Sequence, residues 1–163
     1  MEIEKSRQEI IDEVKLFLQK DYGKSKARKQ LPRCIDIHCE KDGKDTYFCV
    51  MAVSFNKKTG KYFDATVSSE WEFLRGEEGN RKDVKFVIYC KDIEDEKKRI
   101  KVLSPDQVLS FSVPHLTSFQ IKFEIGKEDL ENPARLNGEK GSTFNDLNNA
   151  LDKFNAIKKD FNM

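Results

Sequence analysis

The chain has 163 residues, of which 37% are hydrophobic and 36% are charged. This composition supplies enough apolar material for one core, and the length is too short for two ordinary domains, so we predict a single domain over residues 1–163. Thirty cations and twenty-nine anions give a net charge of +1, which excludes nucleic-acid binding by bulk charge and would require a local cluster of cations.

A helix is predicted over residues 3–20, because apolar residues recur there at the spacing of one helix face. The polar residues Glu9, Glu13 and Lys20 should then face mainly solvent. Gly23 is suited to end the helix, since glycine readily adopts the left-handed conformation found there. The apolar positions are Ile3, Ile10, Ile11, Val14, Phe17 and Leu18.

A basic segment follows the helix at residues 24–33 and contains no acidic residue. We interpret it as a candidate contact for nucleic-acid phosphates, and the alternative is a solvated connection. No aromatic residue is interleaved with the cations, so a stacking platform for single strands is not predicted. The candidate nucleic-acid-binding residues are Lys24, Lys26, Arg28, Lys29 and Arg33.

The first predicted strand covers residues 34–39. Side chains alternate between the two faces of a strand, so Ile35 and Ile37 should point one way and Asp36 and His38 the other. An Asp-Gly pair immediately downstream, in the run EKDGKD, is typical of a hairpin turn.

The second predicted strand covers residues 46–55 and is apolar on both faces, as expected for a central strand covered from two sides. Gly60 lies in the next turn, and a third strand is predicted over residues 62–67. Ser68 or Ser69 can then cap a helix that carries Trp71.

Further strands are predicted at residues 84–90, 100–103 and 118–125, with a short helix at 107–111 that begins after a Ser-Pro-Asp sequence. Residues 126–141 are predicted to be irregular. A final helix is predicted over residues 142–163, with phenylalanine and leucine along one stripe. Because the stripe is shorter than a typical coiled coil, we expect it to dock on the domain rather than pair with a second chain.

The four cysteines all lie in apolar, strand-like runs and are predicted to be buried free thiols. Free thiols fit a reducing compartment, and the first residues show no secretory signal, so we expect a cytoplasmic protein without a membrane span. A zinc site is not predicted, because there is no CxxC pair and the two histidines are far apart in sequence. The cysteines are Cys34, Cys39, Cys49 and Cys90.

The predicted order of helix, three strands, helix and strand resembles the αβββαβ core of PD-(D/E)XK nucleases and Mrr-like domains. Residues 34–125 more specifically resemble the nuclease-like domain at the C-terminus of NO VEIN-type proteins. The resemblance is carried by Ile35-Asp36-Ile37, Tyr47-Phe48-Cys49 and Thr66-Val67-Ser68-Ser69-Glu70-Trp71. It implies an α+β, restriction-endonuclease-like fold with a mixed central sheet, to which this chain adds a C-terminal helix.

The chain departs from this family at the catalytic Glu-x-Lys motif. The resemblance places that motif on Val50-Met51-Ala52, where neither the carboxylate nor the lysine is present. Asp36 is retained, and the family implies that it is a catalytic residue and a metal ligand. A lone aspartate binds Mg²⁺ weakly, since this ion needs several oxygen ligands. The predicted site is therefore degenerate.

Asp36, His38 and Glu40 recur at two-residue spacing, which is typical either of a solvent-facing polar strand face or of a metal site that has moved. Because catalytic groups migrate between elements in nuclease-like folds, Glu70 is a candidate replacement carboxylate, Asp64 a further ligand and Lys61 a candidate replacement lysine. We favour the polar strand face.

We therefore expect a non-catalytic nuclease-like module of a bacterial or mobile-element system, without a cofactor, that binds nucleic acid or a protein partner. One alternative is a metal-dependent nuclease with relocated ligands, which would require Mg²⁺. The other is a homodimeric scaffold that associates through the C-terminal helix.

Overall fold

The computed structural model describes residues 5–26, 35–64, 83–95, 97–115, 119–131 and 144–161. These residues form an α+β fold with a mixed sheet, which confirms the predicted class. The helices are α1 (Arg7–Tyr22), α2 (Pro105–Ser110), α3 (Lys127–Glu131) and α4 (Phe144–Asp160). The strands are β1 (Ile37–Lys41), β2 (Lys44–Asn56), β3 (Lys61–Asp64), β4 (Val84–Cys90), β5 (Ile100–Leu103), β6 (Ser112–His115) and β7 (Gln120–Gly126).

The long strand β2 organises the sheet, whose order is β5-β4-β2-β3-β7-β6, with β1 also paired to β2. One edge of β2 pairs with β4 in parallel, from Tyr47 to Val53. The other edge pairs with β1 up to Phe48 and then with β3 from Ser54, both antiparallel. The edge of β2 between these two antiparallel partners is therefore open to other groups.

The sheet is covered on both faces, and alternate residues of β2 enter two separate cores. On one face α1 packs against the strands, and on the other face the strands pack against α4 and the C-terminal part of the chain. The α1-side core includes Ile10, Ile11, Val14, Leu18, Phe48, Val50, Val87 and Tyr89. The opposite core includes Cys49, Met51, Phe86, Ile88, Phe123, Leu147, Leu151 and Phe154. The prediction that the second strand is central is confirmed.

The predicted first helix is confirmed over the described residues. The Ser6 side chain accepts a hydrogen bond from the Glu9 N–H, and the Glu9 side chain binds the Ser6 N–H in return, so the helix has a capping box. Gly23 ends the helix with φ 84°. The expected solvent position of Glu13 is wrong, because its carboxylate contacts three side chains: Lys5 before α1, Tyr89 on β4 and Arg99 just before β5.

The first strand begins at Ile37, later than predicted. The prediction that Ile35 and Ile37 share a face is also wrong, since Ile35 is buried in the α4-side core and Ile37 in the α1-side core. The intervening residue explains the change of face. Asp36 donates its N–H to Phe48 O at 2.8 Å and turns its carboxylate back to the edge of β2, so regular alternation starts only after it.

The hairpin turn is confirmed, with Asp42 at φ 53° and Gly43 at φ 79° between paired Lys41 and Lys44. Two positive φ values in succession are what a two-residue turn of type I′ requires. The strands predicted at residues 84–90 and 100–103 have the predicted bounds. The helix predicted after residue 68 lies outside the described residues.

The C-terminal half contains two elements that were not predicted, β6 and α3. Residues 127–131 are therefore helical rather than irregular, and Leu130 is buried. Helix α4 docks on the sheet through Leu147, Leu151 and Phe154, whereas Phe161 beyond its end is 72% exposed. Among the described residues, no helix is long and apolar enough to cross a membrane.

Candidate functional site

Asp36, the carboxylate that the sequence resemblance singled out, lies at the open edge of β2. Its Oδ2 accepts hydrogen bonds from the Val50 N–H at 2.7 Å and from Arg7 Nη2 at 3.0 Å. Arg7 Nη2 also donates to Val50 O at 2.9 Å. The side chains of Asp36 and Arg7 thus bind the N–H and the C=O of Val50. This residue lies between the part of β2 that pairs with β1 and the part that pairs with β3.

These hydrogen bonds satisfy buried polar groups that would destabilise the fold if they had no partner. Val50 is buried, and a buried backbone N–H without a partner costs about 1–3 kcal/mol. The side chain of Asp36 is itself only 17% exposed, and the guanidinium of Arg7 pairs with its negative charge. Chemically, Asp36 serves as an acceptor that holds the N-terminus of α1 and the start of β1 on β2.

The positions on which the resemblance placed a Glu-x-Lys motif, Val50 and Ala52, face an apolar core. Val50 points into the α1-side core, and Ala52 packs against the same core. Among the described residues, no group of three or more His, Cys, Asp or Glu side chains is arranged so that it could hold a metal ion. The other candidate catalytic carboxylate, Glu70, lies outside the described residues. Lys61 starts β3 and is exposed, and Asp64 ends that strand.

His38 and Glu40 take part in contacts of their own. His38 Nε2 lies 2.8 Å from Asp45 Oδ1, and its ring stacks on Tyr47 with centroids 4.5 Å apart. Glu40 forms an ion pair with Lys26. The hydrogen bond with His38 lowers the pKa of Asp45. This face of β1 therefore carries two internally paired polar residues, His38 and Glu40, whereas Asp36 precedes the strand and is not part of the face.

The start of the basic segment is anchored to β1. Ser25 forms a β-bridge with Cys39, and the Lys26 N–H donates to His38 O at 2.7 Å. The ammonium of Lys26 lies between Glu40 and Asp45, and the hydrogen bond to Glu40 raises the pKa of Lys26. The other candidate residues Arg28, Lys29 and Arg33 lie outside the described residues.

A surface groove of about 420 Å³ separates the outer face of α1 from the first residues of the basic segment. The groove was not predicted from the sequence, although its four lining residues on α1 follow a helical spacing of three and four residues. Leu16 within it is 74% exposed. The lining residues are Asp12, Lys15, Leu16, Gln19, Lys24 and Ser25.

A second polar cluster, also missed, joins α1 to β4 and β5. Glu13 accepts hydrogen bonds from Lys5 Nζ at 2.5 Å, Arg99 Nε at 2.6 Å and the Tyr89 hydroxyl at 3.1 Å. Partial burial raises the pKa of Glu13, but the hydrogen bonds from Lys5 and Arg99 outweigh it, so the pKa lies below its ordinary value. No local motif could reveal these contacts, because the partners on the sheet are more than seventy residues away in sequence.

Three of the four cysteines are described, and the prediction of buried free thiols is confirmed for Cys39, Cys49 and Cys90. Burial raises the pKa of Cys90 to about 12 and also raises the pKa of Cys39. Thiols in this state are poor nucleophiles, since the reactive form is the thiolate.

No protein-family model, curated protein or solved structure matches the chain. The described residues define an α+β protein in which a seven-stranded mixed sheet carries a carboxylate, that of Asp36, hydrogen-bonded to the edge of β2. The likeness to nuclease-like domains stays a prediction from short motifs.

Proposed function

We propose that this protein is a non-catalytic nuclease-like module that binds nucleic acid through the basic segment that begins at Lys24. The observation that carries the proposal is the engagement of Asp36 Oδ2 by the Val50 N–H and the Arg7 guanidinium. In this protein the carboxylate at the position of a metal ligand acts as a structural acceptor.

Ligation of a divalent cation by Asp36 would have to compete with both hydrogen bonds. Mg²⁺ requires close to six oxygen ligands in octahedral geometry, and a single carboxylate provides one or two of them. The neighbouring positions on β2 that would supply a second carboxylate and a lysine are Val50 and Ala52. These features support binding without turnover.

Binding to phosphate is supported by the position of the first cations in the segment. Lys24 is exposed at the rim of the groove on α1, and Lys26 is exposed beside β1, where its N–H binds His38 O. The acids that pair with Lys26 are on the protein surface, where ion pairs are weak and are screened by salt. A polyanionic backbone can therefore replace them at the ammonium.

Two assays test the proposal. Plasmid and single-stranded DNA are incubated with the full chain and Mg²⁺ or Mn²⁺, and we expect no cleavage. Asp36→Asn serves as the matched variant, because an amide oxygen can still accept from Val50 while the charge is removed. Metal-dependent cleavage that this variant abolishes would overturn the non-catalytic assignment.

Binding is measured by fluorescence anisotropy on labelled oligonucleotides between about 50 and about 200 mM salt. We expect affinity to fall with salt, and the double variant Lys24→Gln, Lys26→Gln to bind more weakly with a shallower salt dependence. Lys153→Gln, Lys159→Gln is the matched control, since both lysines are exposed on α4, across the sheet from α1. Equal losses in the two double variants would remove the basic segment from the binding surface.

A further inference from the structure

The groove between α1 and residues 24–25 is an open depression on the protein surface. After Gly23 the chain reverses, and the bridge between Ser25 and Cys39 holds the returning residues beside the helix. On the helix side, Asp12, Lys15, Leu16 and Gln19 share one face at i, i+3, i+4 and i+7 spacing. The walls are thus a helix and a strand-bridged segment.

The end of α1 beside the groove is fixed by hydrogen bonds to its backbone carbonyls. The Gly23 N–H donates to Gln19 O at 3.1 Å, and Lys41 Nζ donates to Lys20 O at 3.1 Å, which ties the last turn of α1 to the hairpin. A fixed backbone beside the groove lowers the entropic cost of binding, which is then mainly the cost of ordering the lysine and glutamine side chains.

The polar chemistry of the groove fits an anion. Two ammonium groups, from Lys15 and Lys24, accompany two neutral hydrogen-bonding side chains, Gln19 and Ser25. The one carboxylate, from Asp12, accepts a hydrogen bond from Gln8 Nε2 at 2.9 Å. The charge of the lining is therefore positive by one unit, and cations clustered in a recess attract phosphate more strongly than isolated ones.

The apolar chemistry is supplied by Leu16, which is 74% exposed beside Lys15. A nucleic-acid backbone also places charged and apolar groups side by side, because each charged phosphate is flanked by sugars that carry apolar C–H groups. A free inorganic anion would leave Leu16 without a role. The occupant that fits both features is a sugar–phosphate chain.

From these features we infer that the groove binds the sugar–phosphate backbone of a nucleic acid, with one phosphate between Lys15 and Lys24 and the adjoining sugar against Leu16. This inference rests on the proposed function and extends its binding surface from the basic segment onto α1. It names two residues, Lys15 and Leu16, that lie outside the segment singled out by sequence.

The test uses the full chain in the anisotropy assay, with labelled single-stranded and duplex oligonucleotides of equal length. Lys15→Gln should lower affinity roughly five- to tenfold at low salt and reduce the salt slope by about one, as expected for one lost phosphate contact. Leu16→Ser should lower affinity without changing the slope. Lys153→Gln is the matched control for charge, and circular dichroism verifies that each variant is folded.

The outcomes separate the inference from the proposed function. If Lys24→Gln, Lys26→Gln weakens binding while Lys15→Gln and Leu16→Ser behave like Lys153→Gln, the groove is excluded and the proposed function stands. If the unaltered chain binds neither oligonucleotide at low salt, both proposals fail. Binding of polyglutamate without binding of either oligonucleotide would also overturn both, and would indicate an acidic protein partner.

Discussion

Asp36 and Val50 are joined by a hydrogen bond of 2.7 Å from the backbone N–H of Val50 to the Asp36 carboxylate. The bond lies at the stretch of β2 where β1 has separated and β3 has not yet joined. Asp92 does the same on the opposite edge, accepting from the Phe55 N–H at 2.7 Å just after β4 has ended. Side-chain carboxylates thus continue the hydrogen bonding of the long central strand where neighbouring strands are missing.

Replacing Asp36 should therefore reduce stability. For Asp36→Ala we expect a loss of about 1–3 kcal/mol in the free energy of unfolding, because a buried N–H is left without its acceptor. Asp36→Asn should lose less, since its amide oxygen can still accept from Val50. Urea denaturation measures both. Equal stability of the alanine variant and the unaltered chain would contradict a structural role for this carboxylate.

Gly23 should be the least replaceable of the glycines with positive φ in the described residues. A Cβ there would overlap the carbonyl oxygen of Glu40, whereas a Cβ on Gly43 or Gly60 meets nothing within 4 Å. Gly43→Ala and Gly60→Ala should each cost about 1–2 kcal/mol, from the left-handed backbone alone. Gly23→Ala should cost more, because the overlap is with backbone that cannot rotate away.

All three glycines have φ between 71° and 84°, so each alanine variant carries strain from positive φ, and Gly23, with ψ 180°, also lies outside the left-handed helical region. Thermal or urea unfolding ranks them directly. A loss for Gly23→Ala no larger than that for Gly60→Ala would contradict the close approach of the α1 terminus to β1. It would also contradict the position of residues 24–25 beside α1, which depends on the turn at Gly23 and forms one side of the groove.

The Glu13 cluster predicts a pH dependence of stability. The folded-state pKa of Glu13 is lowered from the ordinary 4.5, so its contribution is fully present above that value and is lost as the pH falls through the folded-state pKa below it. Glu13→Gln should therefore reduce stability at neutral pH and flatten the acid side of the profile. Glu94→Gln, an exposed carboxylate, is the control. Parallel profiles for the two variants would show that the cluster contributes nothing.

Because Lys26 forms ion pairs with Glu40 and Asp45, we expect these two carboxylates to compete with nucleic-acid phosphates for its ammonium group. Glu40→Gln, Asp45→Asn should raise affinity for an oligonucleotide roughly several-fold at low salt, because the ammonium is released and two repelling charges are removed. Adding Lys26→Gln should cancel part of the gain. Anisotropy titrations of the double and triple variants measure this, and an unchanged affinity in the double variant would contradict phosphate contact by Lys26.

Local sequence determined much of the fold. The capping box of Ser6 and Glu9, the Asp42-Gly43 turn and the apolar runs of β2, β4 and β5 each depend on residues close together in the chain. Hydrogen bonds of this kind, and the periodic spacing of apolar side chains, act within one element, so they can be recognised without knowledge of the rest of the molecule.

The tertiary structure alone decided what the predicted site residues contact. Asp36 reached the backbone of Val50 only because β1 and β3 leave a gap on β2, and this gap depends on the pairing of three strands. Lys15 and Leu16 became part of a groove only because the chain reverses at Gly23. Such contacts join segments whose relative position is set by packing of the whole sheet, and no periodicity within one segment encodes it.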